Sequence, residues 1–278
     1  MKINAKTRVT GLIGYPVEHS LSPLMHNAAF DSLGLNYCYV ALPVKTDALP
    51  EAIRGIKALN FAGCNVTVPH KQNVISLLEE IDEEARFIGA VNTIKNEEGR
   101  LKGYNTDGRG FMESLKEEGV EAEGKDVFII GAGGAARAIG YYLAQVASRV
   151  CIFDIDTARA MALVNDLKRI KESVVFVDSL TRIRTSDIII NATPLGLKED
   201  DPLPLDLNYL NQNHIVYDLI YWDTVLLREV RSLGCRAING LGMLLWQGVL
   251  AFKIWTGITP PVDIMREVLL EGLKKNNP

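Results

Sequence analysis

Near the middle of the chain, Gly131-Ala132-Gly133-Gly134-Ala135-Ala136 stands between two stretches of opposite habit. Asp126 to Ile130 before it is an apolar run with strand character, and Ala135 to Leu143 after it has helical composition. A turn of this kind constrains the backbone strongly. Gly131 permits a tight bend, Gly133 lets the backbone approach a pyrophosphate, and Ala136 keeps the helix close to its strand, while the helix start offers free N–H groups to phosphates. Ala132, Gly134 and Ala135 complete the candidate phosphate contacts. A second apolar run, Val150 to Phe153, ends in Asp154 about 20 residues downstream, where the ribose hydroxyls of a dinucleotide fall. Strand, glycines and acid together point to a dinucleotide site rather than a bare βα turn.

The 278 residues suffice for two domains of ordinary size, and 47% hydrophobic content supports real cores. A net charge of −4, with 30 basic and 34 acidic residues in mixed order, gives no basic stripe and argues against nucleic-acid binding. Cys38, Cys64, Cys151 and Cys235 form no C-x-x-C pair and sit in apolar settings, which suits buried thiols in a reducing compartment. The start of the chain lacks a charged segment leading into an apolar one, and no stretch approaches the roughly 20 apolar residues of a membrane span. A cytoplasmic protein without a membrane partner is expected, and no metal site is indicated.

From the start, Arg8 to Gly14 reads as a strand, and a helix follows from about Pro23 to Leu33 with Ser22 as N-cap and Pro23 at its first position. Ser20 and Ser22, two hydroxyls at a helix start, also suit a carboxylate, so Ser22 has two readings. Tyr37 to Leu42, Asp47 to Leu59 and Phe61 to Val68 read as strand, helix and strand, which argues for βα units around a largely parallel sheet. The third strand leads into Asn65-Val66-Thr67-Val68-Pro69-His70-Lys71, where Pro69 is expected to open a helix with Lys71 in its first turn. A cation there opposes the helix dipole, and such a conflict marks either a functional lysine or a solvated one. Ala90 to Ile94 and Leu101 to Tyr104 form a hairpin, followed by Asp107 at a helix start, either an N-cap or a ligand group at a domain border. Strands near 126–130, 149–153, 174–177, 187–191 and 215–218 make a second α/β unit. Asn191 and Tyr221 stand at its carboxyl edge, with turn and packing roles as the plain alternatives. Met243 and Gln247 share one face of a strongly apolar helix, and a last helix reaches Leu273 before a tail expected to fray.

Six motifs occur in order: Ser-x-Ser-Pro, Asn-Val-Thr-Val-Pro-His-Lys, Gly-Ala-Val-Asn-Thr, Gly-x-Asn-Thr-Asp-Gly, Gly-Ala-Gly-Gly-Ala-Ala and Gly-Met-Leu-x-x-Gln. Together they resemble the shikimate dehydrogenase family, quinate-using relatives included, nearly end to end. The resemblance implies an α/β protein with an N-terminal substrate domain at 1–106, a Rossmann-type doubly wound NAD(P)-binding domain at 107–239, and C-terminal helices at 240–278 returning to the substrate domain, with the active site in the cleft. It further implies Lys71 and Asp107 as the catalytic pair. Ser20 and Ser22 would bind the substrate carboxylate with Tyr221, and Thr67, Asn92 and Gln247 the hydroxyls. Thr193, Gly242 and Met243 would line the nicotinamide. The partner is then a small molecule, shikimate or quinate, and the chain a monomer or homodimer. Chemistry agrees with these roles, because oxidising a secondary alcohol sends a hydride to the coenzyme and needs a proton acceptor beside the hydroxyl.

Two stretches depart from the family pattern. Asp154-Ile155-Asp156 stands where NADP-using members carry Asn-Arg-Thr, and Asp223 follows Tyr221 where proline is common. Acids at a strand tip favour NAD over a 2′-phosphate, while Arg159 matches a phosphate-binding arginine, so the coenzyme is NAD or NADP with NAD favoured. Ser22 leans towards shikimate, because some quinate-preferring relatives carry threonine there. A nucleotide-binding regulator without turnover is the remote alternative, against which Lys71 and Asp107 speak.

Overall fold

The computed structural model describes residues 3–276. The chain divides into two compact units, one running to Thr106 and resuming at Leu245, the other spanning Asp107–Leu244.

The first unit opens with β1 (Arg8–Gly14), α1 (Ser22–Ser32), β2 (Tyr37–Pro43), α2 (Leu49–Ala58) and β3 (Gly63–Val66). It continues with β4 (Glu80–Ile81), α3 (Glu83–Ile88), β5 (Thr93–Glu97) and β6 (Arg100–Tyr104). Its six strands lie in the order β2-β1-β3-β5-β6-β4. β2, β1 and β3 are parallel and β4 pairs parallel with β6, as expected of a largely parallel sheet; β5 alone runs antiparallel, to both β3 and β6. The β5–β6 hairpin causes this, because a short turn can only return the chain antiparallel. Ile13, Ile53, Ile56, Cys64, Val66, Ile94 and Leu101 form one buried core.

The second unit comprises α4 (Asp107–Glu117), β7 (Asp126–Ile130), α5 (Gly134–Val146), β8 (Arg149–Phe153), α6 (Thr157–Lys168) and β9 (Val174–Phe176). β10 (Ile188–Asn191), β11 (Ile215–Asp218), α7 (Val225–Ser232) and β12 (Arg236–Ile238) complete it. All its pairings are parallel, in the order β12-β11-β10-β7-β8-β9, which is the doubly wound arrangement with its switch point at β7. Runs such as Val127-Phe128-Ile129-Ile130 are buried throughout, as strands covered on both faces require. α8 (Leu241–Thr256) follows, its first residues belonging to the second unit and the rest to the first, and α9 (Val262–Asn276) ends the described chain. Lys274 and Lys275 lie in α9 rather than in a frayed tail, and Asn277 and Pro278 lie outside the described residues. No helix among the described residues is long and apolar enough to cross a membrane.

Two local expectations fail. α1 begins at Ser22 itself, with Leu21 as N-cap and no side-chain cap, because Ser20 Oγ instead accepts from the Ser22 N–H at 3.2 Å. Pro69 opens no helix: Lys71 lies in a turn ahead of a short 3-10 helix at Asn73–Leu77, so the dipole conflict does not arise.

Candidate active site

In the first unit, Thr67 follows the end of β3, and its N–H donates to Ile13 O of β1 at 2.9 Å. The turn after it brings His70 N–H back to Thr67 O at 2.9 Å, and Lys71 O accepts from Val91 N–H at 2.7 Å. Lys71 therefore has its backbone fixed on both sides, and its side chain is half-buried. His70 is fully buried and binds Val44 O through Nε2 at 2.7 Å, which makes it a packing residue of the turn.

Asn92 sits beside this turn, just before β5. Its Oδ1 accepts from Thr106 N–H at 2.8 Å and its Nδ2 donates to Thr106 Oγ1 at 2.9 Å. Asn65 of β3 lies beneath, donating to Asn92 O at 3.1 Å and to Thr93 Oγ1 at 3.0 Å. These amides are almost wholly buried and fully paired, so they form a rigid polar floor rather than a liability. The sequence marks Asn65 only by its place two residues before Thr67, which puts both on one face of an extended strand. Ser20 and Ser22 stand at the start of α1, and Gln247 is half-buried on α8. The structure thus brings Thr67, Lys71 and Asn92 together through the β3 turn and the Val91–Asn92 segment beside it.

In the second unit, Gly131 has φ +104°, a left-handed conformation, and a Cβ there would lie 2.9 Å from Ala192 O. Only glycine fits. α5 then starts with Gly133 as N-cap and no side-chain cap, leaving its first N–H groups for a ligand, and a Cβ on Gly133 would meet open space. A pyrophosphate fits this arrangement. Asp154, at the tip of β8, accepts from Ala132 N–H at 2.7 Å with one oxygen and from Asp156 N–H at 2.9 Å with the other. The Arg159 guanidinium also reaches Asp154 Oδ2, at 4.0 Å, and a carboxylate offers about four lone-pair sites, so Asp154 keeps acceptor capacity beyond these two bonds. Asp156 is the N-cap of α6, accepting from Arg159 N–H at 3.0 Å, and its carboxylate pairs with the Arg159 guanidinium at 3.1 Å. The Arg159 N–H, followed by its guanidinium, holds the Asp156 carboxyl below the usual range. Arg159 is therefore already matched to an acid, and Ile155 between the two acids is 93% exposed.

Asn191, ending β10, accepts from Thr193 N–H at 3.1 Å and Oγ1 at 2.7 Å and donates to Asp218 Oδ1 at 3.0 Å. Its turn role is the observed one, and that turn holds Thr193. Burial pushes the Asp218 carboxyl up, opposed by hydrogen bonds from Thr224, Ile220 and Asn191. Thr224 also caps α7, its Oγ1 accepting from Leu227 N–H at 3.3 Å. Tyr221 is half-buried, edge-on to Trp222 at 5.0 Å. Gly242 presses on Ser114, whose Oγ is 2.8 Å from Tyr217 Oη. Ser114 and Tyr217, neither of which the sequence distinguishes from core, thus pack at the start of α8 next to Met243 in sequence. Asp107 opens α4 and is 4% exposed. No cluster of His, Cys, Asp or Glu able to hold a metal occurs among the described residues.

The family described as shikimate dehydrogenase substrate binding domain matches residues 12–94, shikimate/quinate 5-dehydrogenase matches 113–196, and the shikimate 5′-dehydrogenase C-terminal domain matches 240–270. A shikimate dehydrogenase (NADP+) of Carboxydothermus hydrogenoformans is 45% identical over 97% of this chain and 99% of its own. A solved shikimate dehydrogenase in complex with NADP+ superposes with a TM-score of 0.92 at 44% identity, covering 98% of both chains. The enzyme of Listeria monocytogenes, solved with shikimate and NAD, gives 0.87 at 38% identity over 97% of this chain and 98% of that one. Likeness of this degree, running through both units, makes the chain a member of the shikimate dehydrogenase family.

Proposed function

We propose that the protein is a shikimate dehydrogenase, interconverting shikimate and 3-dehydroshikimate with NAD(P) in the supply of aromatic amino acid precursors. The observation that carries this reading is the near full-length similarity to enzymes of that name, joined to an uncapped helix start behind a glycine turn. When bound, the nicotinamide coenzyme supplies the hydride acceptor. The chain does the rest. The N–H groups at the start of α5 would take the pyrophosphate, Asp154 would take ribose hydroxyls, and Thr193, held by Asn191, would face the nicotinamide with Met243. Ser20, Ser22 and Tyr221 hold the substrate carboxylate, and Thr67, Asn92 and Gln247 hold the hydroxyls. In oxidation Lys71 accepts the proton of the reacting hydroxyl, with Asp107 fixing that hydroxyl in register; in reduction Lys71 returns it. The four cysteines are free and buried, which supports a reducing, cytoplasmic setting.

Relatives are named for NADP+, and a solved relative holds NAD. In this chain the acids at the β8 tip, with Arg159 engaged by Asp156, favour NAD with some NADP use. A four-way assay of shikimate and quinate with NAD and NADP tests the reading. Turnover with shikimate is expected, and quinate is expected to be the poorer substrate. Binding of coenzyme without turnover of either substrate would instead identify a regulator.

A further inference from the structure

Asp218 ends β11 wholly buried, and the reaction as assigned above gives it no role. Burying a carboxylate is costly even when it is fully hydrogen-bonded, and such a breach of the usual rule is where a working residue is expected. Its Oδ2 accepts from Thr224 Oγ1 at 2.8 Å, the hydroxyl that caps α7. Its Oδ1 accepts twice, from Asn191 Nδ2 at 3.0 Å and from Ile220 N–H at 3.1 Å.

The two bonds to Oδ1 lead to two different places. Asn191 can stand only one way round, since its Nδ2 faces two acceptors, Asp218 Oδ1 and Leu195 O. Its own Oδ1 then takes both the Thr193 N–H at 3.1 Å and the Thr193 hydroxyl at 2.7 Å, so the first path ends at Thr193. The second path runs to α8. Gly240 N–H donates to Ile220 O at 2.9 Å, and Leu244 N–H closes the first turn of α8 on Gly240 O at 2.9 Å, with Met243 inside that turn. Gly240 also lies so close to Leu219 that a Cβ on it would come 2.1 Å from Leu219 O, which leaves the segment little room to shift. All these residues belong to the second unit. One oxygen atom therefore ties the turn that carries Thr193 to the helix start that carries Met243, and Thr224 fixes the carboxylate from its other side.

We propose that Asp218 is a positioning residue for the nicotinamide end of the coenzyme, holding Thr193 and Met243 in register with each other and taking no part in binding the adenosine and pyrophosphate end. The inference rests on the assignment of Thr193 and Met243 to the nicotinamide given above. The other end has its own support, because Asp154 holds the glycine turn through Ala132 N–H. Hydride transfer depends steeply on where the ring stands, a misplacement of about 1 Å costing about 10²-fold, so Asp218 acts on rate as well as affinity.

Calorimetric titration of the full chain with NADH and with ADP-ribose, which lacks only the nicotinamide, tests this in Asp218→Ala and Asp218→Asn. Asparagine keeps an oxygen for Asn191 and Ile220 and turns its N–H₂ to Thr224 Oγ1; alanine keeps nothing. Asp218→Ala is expected to weaken NADH about tenfold and ADP-ribose less than about twofold, and to lower kcat with shikimate about 10- to 100-fold. Asp218→Asn is expected to stay within about threefold of the wild type in all three. Equal weakening of NADH and ADP-ribose would make Asp218 a support of the whole unit and overturn the proposal. An alanine variant unchanged in NADH affinity and kcat, or an asparagine variant as impaired as alanine, overturns it too. A wild type that binds neither compound overturns the dinucleotide reading itself and this inference with it. Should Asp218→Ala fail to fold, hydrogen exchange in the wild type carries the test. NADH but not ADP-ribose is expected to slow exchange of the Thr193, Ile220 and Gly240 amides at least about threefold. Equal exchange with the two ligands overturns the proposal.

Discussion

The carboxylate of Asp154 accepts a hydrogen bond from the Ala132 N–H at 2.7 Å, so the tip of β8 holds the glycine turn that follows β7. One side chain thereby shapes the glycine turn and, in the function proposed above, would present its remaining lone pairs to the ribose. Its negative charge cannot be removed without touching both.

Asp154→Asn is expected to move coenzyme preference towards NADP. A 2′-phosphate brings about −1.5 to −2 charges to this tip, and two unit charges 4 Å apart repel by roughly 4 kcal/mol at an effective dielectric of 20, less where solvent reaches. Asparagine keeps one acceptor but sets an N–H₂ against either Ala132 N–H or Asp156 N–H, so about 1–3 kcal/mol of stability should go with the charge. The measurement is kcat/KM for NAD and NADP in both proteins. A wild type that prefers NADP, or a variant whose NADP use stays flat, would sink the assignment.

Lys71→Ala is expected to lower kcat by about 10²–10⁴-fold with a smaller change in KM, because a proton acceptor acts mainly in the transition state. The backbone bond from Val91 to Lys71 O survives the substitution, so thermal stability should change little. Rapid-mix kinetics decides the matter: less than a tenfold loss in the chemical step removes Lys71 from the role.

His26 predicts an acid-labile first unit. It is fully buried, neither ring nitrogen has a partner, and burial lowers its pKa to about 3. Between the unfolded value near 6.5 and that value, the unfolded chain binds a proton that the folded one refuses. Stability is thus intact above about pH 6.5 and falls as pH drops towards 3, by on the order of 4–5 kcal/mol at the limit. His26→Phe keeps an aromatic ring against Tyr39 and should flatten this slope. Urea unfolding at pH 7, 5 and 4 reads it directly, and an unchanged slope in the variant would clear His26.

Gly242→Ala tests the support of Met243. A Cβ on Gly242 would lie 2.2 Å from Ser114 Oγ, and Ser114 Oγ lies 2.8 Å from Tyr217 Oη. The variant is expected to lose about 1–3 kcal/mol by overpacking and to raise KM for coenzyme. Ser114→Ala in the same chain removes the nearest atom and should restore part of both. Additive losses in the double variant, seen by thermal melts and coenzyme titration, would argue against this packing route.

Much of the second unit was legible in the residues, because each step of it is local. An apolar run makes β7, glycine makes the turn, an alanine-rich segment makes α5, and the period repeats to β11. The order of motifs alone likewise marks Lys71, Asp107 and the serines as candidates. Short elements escaped, among them β4, α3 and β12, since two to six residues carry too little periodicity to stand out. The mixed sheet, the place of Ser22 inside α1, and the turn around Lys71 were decided by tertiary structure. So were the bond from Tyr39 to Asn65 and the tie from Asp154 to Ala132. The physical reason is distance along the chain. Tyr39 meets Asn65 across 26 residues and Asp154 meets Ala132 across 22, and a single hydrogen bond over such a loop leaves no trace in composition or period. Sequence determined which local pieces form; strand register and burial determined which polar atoms face one another, and therefore which of them are free to act.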